Sequence, residues 1–156
     1  PAVFMPYFAR QLESASGRPV VLAEDRRKLE PDLVYVAPGD AHLCLERHGH
    51  SVRIRLDRER APSGCLPSVD PMFHSLANSF NKGAVGIILS GMGRDGLIGS
   101  RHLVEAGGAL LAQDRSTAAI WGMPRVVAEA GLACAVLPPR ELAHRVAQRA
   151  QAGQWK

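Results

Sequence analysis

The chain is 156 residues long, 46% hydrophobic, 22% charged and 5% aromatic, with a net charge of +4. One domain with a sizeable core is expected at that length without help from disulfides or metals. A membrane span is excluded, because the longest apolar stretch, Ala84-Val85-Gly86-Ile87-Ile88-Leu89, stops at Ser90-Gly91, far short of the roughly 18 residues required.

Phe4, Phe8 and Leu12 recur every four residues, so an amphipathic helix is predicted over 3–15, ended by Gly17-Arg18-Pro19. Short strands follow at 20–23 and 33–37, the second stopped by Pro38-Gly39-Asp40. Residues 42–47 and 51–56 read as a hairpin about His48-Gly49, since Val52, Ile54 and Leu56 alternate with Arg53 and Arg55. Ser68 or Asp70 is placed to cap a helix running to about Phe80. The unbroken apolar run 85–90 predicts a strand buried on both faces of a parallel sheet. The loop Gly91-Met92-Gly93-Arg94-Asp95-Gly96 leads into a helix ending near Gly107-Gly108. Another strand (109–113), a helix (122–129), a strand (133–137) and a last helix from Pro138-Pro139 to about Ala152 complete the chain. This alternation predicts a doubly wound α/β fold: a mainly parallel sheet, helices on both faces, and an antiparallel hairpin at about 42–56. The expected organisation is one domain over 1–152 with a frayed tail at 153–156.

The opening Pro1-Ala2-Val3-Phe4-Met5-Pro6 lacks the build of a secretory signal. Cys44, Cys65 and Cys134 form no C-x-x-C pair, so free thiols in a reducing cytoplasm are expected rather than disulfides or zinc. The positive charge favours an acidic partner surface. With so few aromatics there is no base-stacking platform, and no nucleic-acid partner is expected.

Ligands of open α/β sheets bind beyond the carboxyl ends of the strands, which directs attention to the glycine-rich loop. Gly91-x-Gly93-x-x-Gly96, with Asp114 ending the next strand, has the form of a dinucleotide fingerprint, in which backbone amides at a helix N-terminus cradle pyrophosphate. Against this, Asp95 would meet the phosphate. Spacing alone leaves Asp95 open to two roles, a helix cap or the carboxylate that orients a histidine.

Five blocks in the same order carry a resemblance. They are Tyr35-Val36-Ala37-Pro38-Gly39-Asp40-Ala41-His42, Pro67-Ser68-Val69-Asp70 with Phe73, Ala84 through Gly96, Ala112-Gln113-Asp114 and Gly122-Met123-Pro124. Together they resemble the catalytic domain of bacterial chemotaxis protein-glutamate methylesterases of the CheB type. The resemblance implies a cofactor-independent, metal-free cytoplasmic hydrolase with a Ser-His-Asp triad. Such an enzyme removes methyl esters from glutamates on the cytoplasmic helices of methyl-accepting chemoreceptors, and in many members deamidates glutamine. By the same resemblance Asp95 is the triad acid and the Met92 backbone amide an oxyanion donor. Gly91, Gly93, Gly96, Met123 and Pro124 are candidates for the substrate groove, and His42 for a structural or groove task. In the full-length parent the implied partners are a phosphorylatable receiver domain and the chemotaxis histidine kinase.

The family's nucleophile block, Gly-Ala-Ser-x-Gly-Gly, and its base block, Gln-His-Met-Pro, do not occur among these 156 residues. The chain is therefore expected to start just beyond the base, to lack the family's first two strand units, and to be inactive alone and prone to self-association. Ser90 sits on no elbow turn, His74 falls on a predicted helix, and Cys65 has no base, so no replacement triad is expected. Cys65-Leu66 stands where the family shows His-Arg, which removes a bidentate carboxylate partner. The series Arg53, Arg55, Arg58 and Arg60 reads as a charged strand edge or as a contact for acidic receptor helices.

Overall fold

A computed structural model describes the backbone of residues 1–152 and the side chains of residues 1–148. The tail at 153–156, with Trp155, lies outside the described residues. A 3-10 turn, Ala2–Phe4, opens into α1 (Met5–Ser16), which Gly17 closes in the left-handed region at φ 65. β1 (Val20–Leu22) pairs in parallel with β2 (Val34–Val36), Val20 opposite Val34. β3 (His42–His48) and β4 (Ser51–Asp57) form the expected hairpin, with Val52 and Ile54 buried and Arg53 and Arg55 exposed. α2 (Val69–Phe80) follows, then β5 (Val85–Ile88), α3 (Leu97–Glu105), β6 (Ala109–Gln113), α4 (Met123–Glu129), β7 (Ala135–Leu137) and α5 (Pro139–Ala152). β5, β6 and β7 form a parallel sheet in that order.

The mixed α/β fold with its antiparallel pair is as the sequence predicts, but the parallel strands fall into two sheets, β1-β2 and β5-β6-β7. Nor is β5 covered on both faces. Gly86 and Ile88 face the core, whereas Ile87 is 38% and Leu89 51% exposed, and among the described residues no strand lies along its outer edge. The apolar run thus reports a strand with one face packed and one open.

The main core gathers Phe73 of α2, Ile88 of β5, Leu103 of α3, Leu110 of β6 and Val127 of α4, all nearly or fully buried. Each such side chain contributes roughly 1.5–3 kcal/mol by leaving water. α2 and α3 cross closely: a Cβ on Gly99 would stand 2.6 Å from the carbonyl oxygen of Asp70. By contrast, α1 has only Ala9 buried, because its partner is the thin β1-β2 pair, and Phe4 and Tyr7 are each about half exposed.

Two members of the arginine series pair with aspartates. Arg55 donates to Asp57 at 2.8 Å and Arg58 to Asp40 at 3.1 Å. The Asp57 carboxyl is held below the usual range, first by the Glu59 N–H and then by Arg55.

Candidate active site

Asp95 follows β5 and precedes α3, and only 7% of it is exposed. Its carboxylate reaches across to the start of α2. Oδ1 accepts from the Ser68 hydroxyl at 2.6 Å, Oδ2 accepts from the Val69 N–H at 2.8 Å, and the Asp70 N–H adds a longer contact to Oδ1 at 3.4 Å. The negative charge therefore sits against the positive end of the α2 dipole and satisfies amides that have no intrahelical partner. Ser68 is the N-cap of α2, extended at φ −121 and ψ 146, and its Oγ also accepts from the Asp70 N–H at 3.3 Å. Asp95 is thus a helix cap, as one reading of the sequence had it, but of α2, whose first residue lies 26 residues earlier, and not of the helix that follows it.

The arrangement is reciprocal. Asp70, in the first turn of α2, accepts from the Gly99 N–H of α3 at 2.7 Å. Two buried carboxylates thereby exchange helix N-termini and fix the loop 91–96 at its far end. Burial raises the Asp70 carboxyl above its ordinary value, the Gly99 N–H opposes this, and the nearby charge of Asp95 adds to the rise. A carboxylate has about four acceptor positions. Three donors occupy Asp95, and Oδ2 holds only Val69, so one acceptor position remains there for a further N–H.

The near end of the loop is pinned by backbone contacts. Gly91 donates to the Ile120 carbonyl at 3.0 Å, and its own carbonyl accepts from Gly122 at 3.1 Å and from Met123 at 2.8 Å. The approach tolerates no side chain: a Cβ on Gly122 would lie 2.7 Å from the Gly91 oxygen, and one on Gly91 would lie 2.7 Å from the Met123 sulfur. Met92 stands out from this platform, 74% exposed. No acceptor among the described residues meets its N–H. Gly93 and Gly96 hold φ values of 84 and 88, which a side chain would strain. Of the groove candidates, Pro124 is fully buried and has no open face, whereas Met123 is half-buried, packing partly onto the core.

The dinucleotide reading fails on the same geometry. The N-terminal amide at Gly99 is taken by Asp70, and the loop that would cradle pyrophosphate carries the buried carboxylate of Asp95. Asp114 is curled on its own turn, accepting from the Ser116 and Thr117 hydroxyls, which hold it below the usual carboxylate range. Ser90 is equally committed: its Oγ accepts from the Ile120 N–H at 3.0 Å while its N–H donates to Gln113 at 2.7 Å. His74 is exposed on α2, its ring edge-on to His102 at 4.6 Å between centroids. Cys65 is exposed beside Leu66, which is 49% exposed in the loop before Ser68. Among the described residues no cluster of three or more His, Cys, Asp or Glu is arranged to hold a metal ion.

What sequence reading missed is the company Asp95 keeps. Ser68 and Asp70 were legible only as caps of their own helix, and His42, 2% exposed, only as part of a block. The signal that joins them is the coincidence of a buried acid after one strand with an acid and a hydroxyl opening another helix.

Comparison with known proteins gives the family and the fold. The family model described as CheB methylesterase matches residues 1–146. The chain is 40% identical over 153 residues to the protein-glutamate methylesterase/protein-glutamine glutaminase of Maricaulis maris, covering 98% of this chain and 38% of that protein. It is 40% identical over 149 residues to the protein of the same description from Trichodesmium erythraeum, covering 96% of this chain and 42% of that one. The chain thus spans about two fifths of the length of these curated relatives. The crystal structure of the Thermotoga maritima CheB methylesterase catalytic domain superposes with a TM-score of 0.89 at 34% identity, covering 93% of this chain and 77% of that one. A buried, trans-capping aspartate beside an open loop amide, in a chain that matches this family almost from end to end, leads to one assignment: the chain belongs to the CheB methylesterase family.

Proposed function

We propose that this chain supplies the acid and one oxyanion donor of a protein-glutamate methylesterase, the nucleophilic serine and the histidine coming from outside these 156 residues. The substrates are glutamate methyl esters on the cytoplasmic helices of methyl-accepting chemoreceptors. The serine hydroxyl adds to the ester carbonyl as the imidazole takes its proton; the same imidazole protonates the leaving methoxide, and methanol departs. Water then repeats the sequence on the acyl-enzyme and frees the carboxylate. Glutamine amide follows the same course with ammonia leaving.

Asp95 accepts the imidazole's remaining N–H at Oδ2, which fixes the tautomer and stabilises the imidazolium formed in the transition state. Its own donors keep the carboxylate from turning. The Met92 N–H meets the developing oxyanion without having to break a contact first. The observation that carries the reading is the pairing, on one short loop, of a buried carboxylate held by three donors with the N–H of an exposed residue, Met92, that meets no acceptor among the described residues. In the longer protein the site works in the cytoplasm alongside a receiver domain phosphorylated by the chemotaxis histidine kinase. The greater length of the relatives supports that setting.

The test is methanol release from methylated chemoreceptor by the product of the whole reading frame that contains these residues. Asp95→Asn should lower kcat by about 10³–10⁴, and a preparation of the 156 residues alone should release no methanol above background. Turnover by Asp95→Asn near that of the unchanged protein would refute the role given to Asp95.

A further inference from the structure

Ser68 holds Asp95, and something holds Ser68. The Ser68 N–H donates to Nδ1 of His42 at 2.9 Å, and Nε2 of His42 lies 2.8 Å from the carbonyl of Glu59. A ring that accepts at Nδ1 has its proton on Nε2, so the two contacts select one neutral tautomer. Three successive hydrogen bonds then run from the segment after β4, through the first residue of β3 and the N-cap of α2, to Oδ1 of Asp95. His42, Ser68 and Asp95 are each more than nine-tenths buried, so water does not replace a link that is lost.

We propose that His42 is a positioning residue for the Asp95 carboxylate, acting through Ser68. This rests on the reading of Asp95 as the acid of the hydrolase. The Ser68 hydroxyl can give its proton to Asp95 because its lone pairs face other donors, the Asp70 N–H at 3.3 Å and the Ser63 hydroxyl at 3.1 Å. That geometry depends on the extended backbone of Ser68, which His42 grips at the N–H. Releasing the grip lets the cap turn, and Asp95 turns with it. A displacement well under 1 Å matters at such a position, since misplacement of that order costs about a hundredfold in rate.

The two ends of the imidazole can be tested separately. In His42→Asn the amide oxygen stands close to the place of Nδ1 and accepts from Ser68, but the side chain does not reach Glu59. In His42→Gln the amide nitrogen takes the place of Nε2 and reaches Glu59, leaving the Ser68 N–H unmet. In the whole reading-frame product, His42→Gln should lose about tenfold in kcat with KM unchanged, as removal of a supporting hydrogen bond does elsewhere, and His42→Asn should restore most of that loss. Amide exchange at Val69, whose N–H is bound to Asp95, should quicken in His42→Gln and stay slow in His42→Asn; this readout does not need turnover. A merely structural histidine predicts equal kcat in both folded variants and equal Val69 protection, and either result would overturn the proposal. The Asp95→Asn protein is the control: full turnover there would mean that the role of Asp95, rather than of His42, had been misread.

Discussion

Two aspartates lie beyond the carboxyl ends of neighbouring strands, Asp95 after β5 and Asp114 after β6, and they have opposite fates. Asp95 is buried and spends its oxygens on a helix 25 to 27 residues away. Asp114 is half-buried and spends its oxygens on Ser116 and Thr117, two and three residues on. Position in an α/β sheet therefore does not make a carboxylate functional. A group held by its own turn moves with that turn, because nothing distant in the chain fixes it. One held between two helices is buried and fixed by distant parts of the chain, and its Oδ2 keeps one acceptor position.

The comparison is broken most sharply by removing each carboxylate in turn. Asp95→Ala strands the Ser68 hydroxyl and the Val69 N–H in a buried setting, and about 3 kcal/mol of stability should be lost in urea unfolding. Ser68→Ala removes the cap of α2 and one donor to Asp95, with an expected loss of about 1 kcal/mol by the same measurement.

Asp70→Asn sharpens the contrast through pH. Burial raises the folded-state value for Asp70 above its unfolded value, so between the two the folded protein binds more protons than the unfolded chain. Stability contributed by this group is present below the unfolded value and is lost as pH rises through the folded one. Unfolding midpoints of the unchanged protein and of Asp70→Asn should therefore separate as pH climbs above the ordinary carboxylate range, the unchanged protein losing ground. A constant gap would mean that burial does not govern Asp70. Smallest of all, Asp114→Ala should leave both the midpoint and methanol release unchanged.

The local part of this structure was legible in the sequence. Ser68 announces α2, and β6 sits at 109–113 because Gly107-Gly108 ends the helix before it. The alternation of Val52, Ile54 and Leu56 with arginines sets the hairpin register. The division of the parallel strands into two sheets was not legible, since an apolar run such as 85–90 reads the same whether one face or two are covered. At the site, the block match pointed to Asp95 and Met92. The bonds that give Asp95 its rigidity join residues far apart in the chain and leave no periodic trace, which is why His42 and Asp70 drew no notice as its supports. Pro124 was assigned to the groove from its block, yet it is fully buried.

The most direct test of the central claim is an experimental structure of the product of the whole reading frame. The account predicts an imidazole nitrogen about 2.6–3.2 Å from Oδ2 of Asp95, contributed by a residue outside these 156, with the contacts of Ser68 and Val69 kept. An Asp95 that retains those contacts while no imidazole comes within reach of Oδ2 would contradict it.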